Sequence, residues 1–215
     1  NIQLVAVNDL APVDQLAHLL KYDTVHRAFN GTVQAKDACL EINDQIVYVY
    51  NCKDPEELPW KDLDIDVVIE ATGIFRTKEL ATKHLTAGAK RVVISAPPKG
   101  DIPTFVLGIN DGLISEDQKI ISNASCTTNC AAPMLSIVNE HCEIERGFLT
   151  TVHAYTADQR LHDAPHKKDM RRARAAAENI VPTSTGAADA LIKLYPEFHG
   201  KLFGSAVRVP VMDGS

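Results

Sequence analysis

The residues best suited to do chemistry in this chain are a cysteine and a histidine. The run Ser122-Asn-Ala-Ser-Cys126-Thr-Thr-Asn-Cys130 follows Lys119-Ile-Ile121, which reads as a strand. It precedes Ala131-Ala-Pro133-Met-Leu-Ser-Ile137-Val138, whose apolar residues are spaced as on one face of a helix. Cys126 is therefore expected at or near a helix N-terminus, where unpaired backbone N–H groups and the positive end of the helix dipole favour a thiolate. Twenty-seven residues on, His153 sits in Leu149-Thr-Thr-Val-His-Ala-Tyr155, a β-branched, strand-like run. A helix out and a strand back can bring His153 against Cys126, which is the nucleophile–base pair of covalent catalysis. A lone cysteine is more often a buried small hydrophobe, and a lone histidine more often packed without a task, so residue type alone leaves both readings open. Cys130 reads as structural, because no neighbouring His or Cys cluster completes a metal site.

The elements that must position this pair come in strand–helix alternation. Asn1-Ile-Gln-Leu-Val-Ala-Val7 reads as a buried strand ended by Asp9, and Pro12 to Leu20 as a helix opening on proline. Short strands follow between Val33 and Tyr50, punctuated by Gly31 and Asn43-Asp44. Asp66–Ile69 is a strand ending at Thr72-Gly73, Lys78–Leu85 a helix closing at Gly88, and Arg91–Ile94 a strand ending at Ser95. Thr104–Leu107 and Lys119–Ile121 are two more short strands. This order predicts an open, mainly parallel α/β sheet whose ligands lie beyond the carboxyl ends of the strands, the edge that holds Asp9, Thr72-Gly73 and Ser95. After Cys126 the pattern changes to a helix, a long strand over 147–155 and a charged loop from Ala157 to Arg174. Then come Thr183-Ser-Thr-Gly186, a helix over Ala187–Leu194 and a strand over Ala206–Val209. The domain boundary is expected near 125, giving domains 1–125 and 126–215.

Composition narrows the function classes. A chain of 215 residues with 45% hydrophobic and 23% charged residues is an ordinary globular balance with room for a real core. A net charge of −6 gives no reason to expect nucleic acid or an anionic membrane as partner, and no apolar stretch approaches the roughly 20 residues of a membrane span. Five cysteines without framework spacing fit a reducing, cytoplasmic compartment. Asp9 lies where an acidic side chain can accept hydrogen bonds from ribose hydroxyls and repel a 2′-phosphate, which favours NAD over NADP; a helix or turn cap before Pro12 is the alternative reading of the same residue.

The run SNASCTTNC, followed at this spacing by Thr-Val-His153-Ala-Tyr-Thr, resembles the phosphorylating glyceraldehyde-3-phosphate dehydrogenases, and the likeness extends over the whole chain. The resemblance implies a Rossmann-type dinucleotide-binding domain followed by an α+β catalytic domain, NAD as cofactor, and oxidative phosphorylation of glyceraldehyde 3-phosphate through a thioester on Cys126. It implies Asp9, Leu10, Lys53, Thr72, Gly73 and Ser95 as cofactor contacts. Lys53 stands where the family usually has arginine, which keeps the charge and loses the planar stacking surface. It implies Thr156 and Arg208 at the triose phosphate, and Ser125, Thr127, Thr185 and Gly186 at the attacking inorganic phosphate. Arg172 can face the same site or a subunit contact. Ala164-Pro165 combines one residue of the NAD-type pair with one of the NADP-type pair, so the lean to NAD leaves some NADP use open. The loop Ala157–Arg174 resembles the segment that crosses a subunit interface of a homotetramer.

Two departures and two rivals accompany the resemblance. No G-x-G-x-x-G turn is present, and the chain begins where the second strand of the dinucleotide unit lies, so by resemblance about two dozen N-terminal residues and the end of the catalytic domain are expected outside it. Such a partial Rossmann-type domain joined to a partial catalytic domain is expected to be inactive as an isolated piece. Erythrose-4-phosphate dehydrogenase shares the cysteine motif, but Thr156 and Thr183-Ser-Thr-Gly186-Ala-Ala look like the triose enzyme. A non-catalytic nucleotide- or RNA-binding module needs neither SNASCTTNC nor His153, and the short run Arg171-Arg-Ala-Arg174 reads as a solvated or subunit-facing turn.

Overall fold

A computed structural model describes residues 2–215; Asn1, the first residue of the expected opening strand, lies outside the described residues. The chain divides into two compact units, one running to Ile94 with Lys99–Ile102, the other comprising Ser95–Pro98 and Pro103–Ser215. Residues 103–125, placed with the first domain on sequence, group with the second unit.

In the first unit β1 (Ala6–Asn8) leads to α1 (Val13–Lys21), a small exposed hairpin of β2 (Tyr22–Asp23) and β3 (Arg27–Ala28), and then β4 (Val33–Lys36), β5 (Cys39–Ile42) and β6 (Gln45–Tyr50). The sheet order is β1-β6-β5-β4, with β1 parallel to β6 and the other two pairings antiparallel. The expected parallel character therefore holds only for part of this sheet. The reason is local: Asn43 and Asp44 both have positive φ, +47° and +65°, the turn that folds β5 back on β6 as a two-residue hairpin. Val33, Leu40, Val47 and Val49 face Ala17 of α1, and this apolar face is what holds the helix on the sheet.

The other parallel pair of this unit is β7 (Val67–Glu70) with β8 (Arg91–Ile94), connected through α2 (Lys78–Thr86). Thr77 caps α2 by accepting from the Leu80 N–H. Gly88, at φ +110°, ends the connection; a Cβ there would lie 2.6 Å from the Lys61 backbone, so only glycine fits. Leu58, Trp60, Ile65, Ala87 and Ala89 form the core beneath.

The second unit contains β9 (Ile120–Ser122), α3 (Cys126–His141), β10 (Gly147–Ala154), β11 (Val181–Thr183), α4 (Ala187–Leu194) and β12 (Leu202–Val209). Its sheet has the order β10-β12-β11, with β10 parallel and β11 antiparallel to β12. Ala131, Ala132, Leu191, Phe198 and Leu202 pack α3 and α4 around one core. The expected strand over Thr104–Leu107 is reduced to one bridge, Thr104 to Ser122. Asn110 explains it: its side-chain oxygen accepts from the Val106 N–H at 2.8 Å and its amide donates to the Thr104 carbonyl at 3.0 Å, taking the place of a strand neighbour. Among the described residues no helix is long and apolar enough to cross a membrane.

Candidate active site

Strand β9 turns into α3 within three residues, and the turn exposes Cys126 as the first residue of the helix. Ala124 takes φ +57°, a left-handed conformation costly for a residue with a Cβ. Ser122 holds it there: its hydroxyl donates to the Ala96 carbonyl at 2.8 Å and accepts from the Ala124 N–H at 3.0 Å. Ser125 is the N-cap, accepting from the Thr128 N–H at 3.1 Å, and Asn129 ties the turn from the other side by donating to the carbonyls of Asn123 and Ser125. Ala124, Ser122 and Asn129 were missed on sequence. Their signal was the strand-to-helix switch itself, which demands a backbone reversal and therefore something to hold it.

His153 reaches the thiol from β10. Its Nε2 lies 3.1 Å from Cys126 Sγ, and its Nδ1 lies 2.7 Å from the Ala154 carbonyl oxygen. With Nδ1–H donating to that carbonyl, Nε2 carries the lone pair that accepts the thiol proton. The register of the parallel pair sets His153 directly beside Arg208 of β12. Arg208 Nη1 donates to the same Ala154 carbonyl at 2.9 Å and lies 2.7 Å from His153 Nδ1; a guanidinium can only donate, so this contact belongs to the other tautomer, in which Nδ1 accepts and the proton sits on Nε2 facing the sulfur. Burial first, and then the charge of Arg172, push the Arg208 guanidinium below its ordinary value, while Cys126 and Asp158 act in the opposite sense. Two guanidinium groups that oppose each other's charge are a place where an anion is stabilised.

Arg172 is anchored from the side. Its Nε donates to Thr183 Oγ1 at 2.9 Å, its Nη2 bonds the same oxygen, and its Nη1 pairs with Asp158. Asp158 was another residue the sequence did not single out. The loop that carries it is braced by His166, whose Nδ1 accepts from the N–H groups of Lys168 and Asp169 and whose Nε2–H donates to the Asp158 carbonyl at 3.1 Å. Asp169, hydrogen-bonded by the side chain of Arg171, is held at about 2.

The remaining predicted phosphate contacts are distributed around these groups. Thr127 is buried beside the thiol, with its hydroxyl 4.0 Å from Cys126 Sγ. Ser125 commits its hydroxyl to the Thr128 N–H and hydroxyl as a cap. Thr156 is exposed just past β10, its N–H 3.4 Å from Gln159 Oε1. Thr185 Oγ1 accepts from the Ala187 N–H at 3.1 Å, and Gly186 is the cap residue of α4.

Of the predicted cofactor contacts, Asp9, Leu10, Lys53, Thr72 and Gly73 belong to the first unit. Asp9 follows β1 with its carboxylate exposed, one oxygen accepting from the Ala11 N–H at 2.8 Å. The turn-cap reading is thus realised on that oxygen. Asn8 and Cys52 exchange two hydrogen bonds, 2.9 and 3.0 Å, which fix the ends of the parallel strands β1 and β6 and so set Asp9 and Lys53 on one edge. Leu10 and Lys53 are exposed there. Thr72 and Gly73 are exposed after β7; Gly73 has φ +71° and open space where a Cβ would stand, so a ligand can approach the backbone. Ser95 is exposed at the end of β8. An exposed acid at a parallel strand end and an open Thr-Gly turn fit a dinucleotide. Among the described residues no cluster of His, Cys, Asp or Glu is able to hold a metal.

An exposed thiol at a helix start, an imidazole within hydrogen-bond distance and paired guanidinium groups are the parts that thiol-dependent covalent chemistry on an anionic ligand requires. The family profiles narrow the class. The NAD binding domain of glyceraldehyde 3-phosphate dehydrogenase matches residues 1–78, and the C-terminal domain of the same enzyme matches residues 125–215. The glyceraldehyde-3-phosphate dehydrogenases of Clostridium pasteurianum and Clostridium acetobutylicum are each 51% identical over all 215 residues. The chain spans 64% of the length of each of them. It belongs to the glyceraldehyde-3-phosphate dehydrogenase family.

Proposed function

We propose that the protein carrying this chain catalyses the NAD-dependent, phosphorylating oxidation of D-glyceraldehyde 3-phosphate. The observation that carries the reading is the 3.1 Å approach of His153 Nε2 to the exposed thiol of Cys126. Cys126 Sγ attacks the aldehyde carbon as Nε2 takes the thiol proton, giving a hemithioacetal on the enzyme. His153 gives that proton to the former carbonyl oxygen, and its freed Nε2 takes the hydroxyl proton back as the carbon is oxidised. NAD, when bound, supplies the acceptor for the hydride that leaves this carbon. A phosphate oxygen then attacks the thioester carbon, the C–S bond breaks, and 1,3-bisphosphoglycerate leaves with Cys126 restored. Arg208, Arg172 and Thr156 are assigned to the substrate phosphate, and Ser125, Thr127, Thr185 and Gly186 to the attacking phosphate.

Asp9 supports NAD over NADP, because an exposed carboxylate at the ribose repels a 2′-phosphate. The five free thiols support a cytoplasmic setting, and the exposed apolar side chains of β10 and β12, Phe148, Val152 and Phe203, support association into a homotetramer. In the full-length protein Cys126→Ser is expected to lower turnover by roughly 10³-fold or more, since a neutral hydroxyl replaces the nucleophile, while NAD binding persists. Activity kept within tenfold of wild type sinks the assignment.

A further inference from the structure

In the first unit a chain of buried polar groups ends on the Thr72–Gly73 turn. Trp60, His84 and Glu70 are 4%, 4% and 3% exposed. Trp60 Nε1 donates to His84 Nδ1 at 3.1 Å. An indole N–H can only donate, so Nδ1 is unprotonated and the ring proton sits on Nε2, which donates to Glu70 Oε2 at 3.0 Å. The other carboxylate oxygen, Oε1, accepts from the Thr72 N–H at 2.8 Å and from the Thr72 hydroxyl. That hydroxyl in turn accepts from the Ile74 N–H at 3.1 Å, across Gly73.

A carboxylate is a costly way to join a strand to a helix, because burying it requires every lone pair to be met. Burial alone raises the Glu70 pKa, yet the bonds from His84 and Thr72 outweigh it and hold the group below its ordinary value, so it stays ionised. Its two oxygens divide the work. Oε2 faces inward to an imidazole whose tautomer Trp60 fixes, and Oε1 faces outward to an exposed turn.

We propose that Glu70 is a positioning residue for the cofactor: the chain Trp60–His84–Glu70 sets the Thr72–Gly73 turn in the shape the dinucleotide meets. This rests on the reading of that turn as cofactor-binding given above. Neutral Gln at 70 cannot serve both ends. Its amide nitrogen must face either the His84 Nε2–H or the Thr72 N–H, donor against donor. Switching the His84 tautomer only moves the conflict to Trp60.

The test uses the full-length protein and NAD itself. Glu70→Gln is expected to raise KM for NAD about tenfold with kcat within twofold, the loss expected when a charge-assisted bond to a binding turn is removed. Thr72→Val, which removes the hydroxyl that donates to Glu70, is expected to raise KM as well. Adding Glu70→Gln to Thr72→Val is expected to raise KM by less than the product of the two single effects, because the hydroxyl bond is shared and only the N–H bond remains to be lost. In the full-length protein the part of the tryptophan fluorescence that Trp60→Phe removes is expected to shift in Glu70→Gln, reporting the far end of the chain.

Additive effects of the two substitutions, or an unchanged KM in Glu70→Gln, overturn the proposal while leaving the cofactor reading intact. An unchanged KM in Thr72→Val overturns both. Should Glu70→Gln not fold, His84→Gln and His84→Phe replace it. The amide still donates to Glu70 and accepts from Trp60 and should keep KM within twofold, whereas the phenyl ring strands the carboxylate oxygen and should raise it. Equal values for these two also overturn the proposal.

Discussion

Two histidines in this chain, His84 and His153, each bridge partners through both ring nitrogens and differ in what those partners can exchange. His84 is buried, both ring nitrogens are committed, and an indole and a carboxylate dictate where its proton sits. His153 is half-buried, and its Nε2 faces an exposed thiol, a group that can itself give up a proton. Its other nitrogen meets a backbone carbonyl with a guanidinium alongside. The comparison teaches that a buried, saturated histidine is a strut. One becomes a base when a nitrogen faces a partner able to exchange the proton and solvent can reach the pair.

The largest expected break in that comparison is His153→Asn, which should leave the fold intact and slow acylation of Cys126 by roughly 10²–10⁴ in stopped-flow measurements. Iodoacetamide should then label Cys126 more slowly at neutral pH; unchanged labelling means the pair is geometric only. Next comes His84→Ala, which should act on stability instead. Removing the ring strands the Trp60 N–H and a Glu70 oxygen in the core, at a cost of about 2–4 kcal/mol in urea unfolding. A loss below about 0.5 kcal/mol contradicts the strut reading, because that is the scale of a neutral surface change.

Smaller still is the effect at Asp9. Asp9→Gly should narrow the preference for NAD over NADP about tenfold in kcat/KM, the worth of one charge contact at the ribose. An unmoved ratio leaves Asp9 as the turn cap that its bond to the Ala11 N–H already makes it.

The smallest expected effect is on the acid side. The native Glu70 pKa lies below the unfolded value near 4.5, so its contribution to stability is complete above that value and is lost as pH falls through the native one. Tm should therefore drop more steeply below about pH 4.5 in wild type than in Glu70→Gln. Parallel profiles would mean that the carboxylate gains nothing from His84 and Thr72.

Much of the scaffold was legible from pattern. The helix over Ala187–Leu194 has those bounds, and Cys126 stands at the first position of its helix, because an apolar 3.6 period with a serine before it specifies both the face and the start. The strand over Thr104–Leu107 misled because a β-branched and aromatic run says nothing about partners, and Asn110 occupied the hydrogen bonds a neighbour needed. The hairpin at Asn43-Asp44 was visible as punctuation, but the sequence did not say that it made β4, β5 and β6 antiparallel.

The sequence by itself determined which residue types stood where: a thiol at a helix start, a histidine in the following strand, an acid after the first strand. These follow from periodicities of a few residues, which local sterics and burial impose. Only the tertiary structure decided which of them met. The register of β10 on β12 placed Arg208 beside His153, and the bridge from Trp60 through His84 to Glu70 tied a loop, a helix and a strand end to one turn. Such contacts join residues 14 to 55 positions apart. At that separation only packing and hydrogen-bond satisfaction over the whole unit choose the partner.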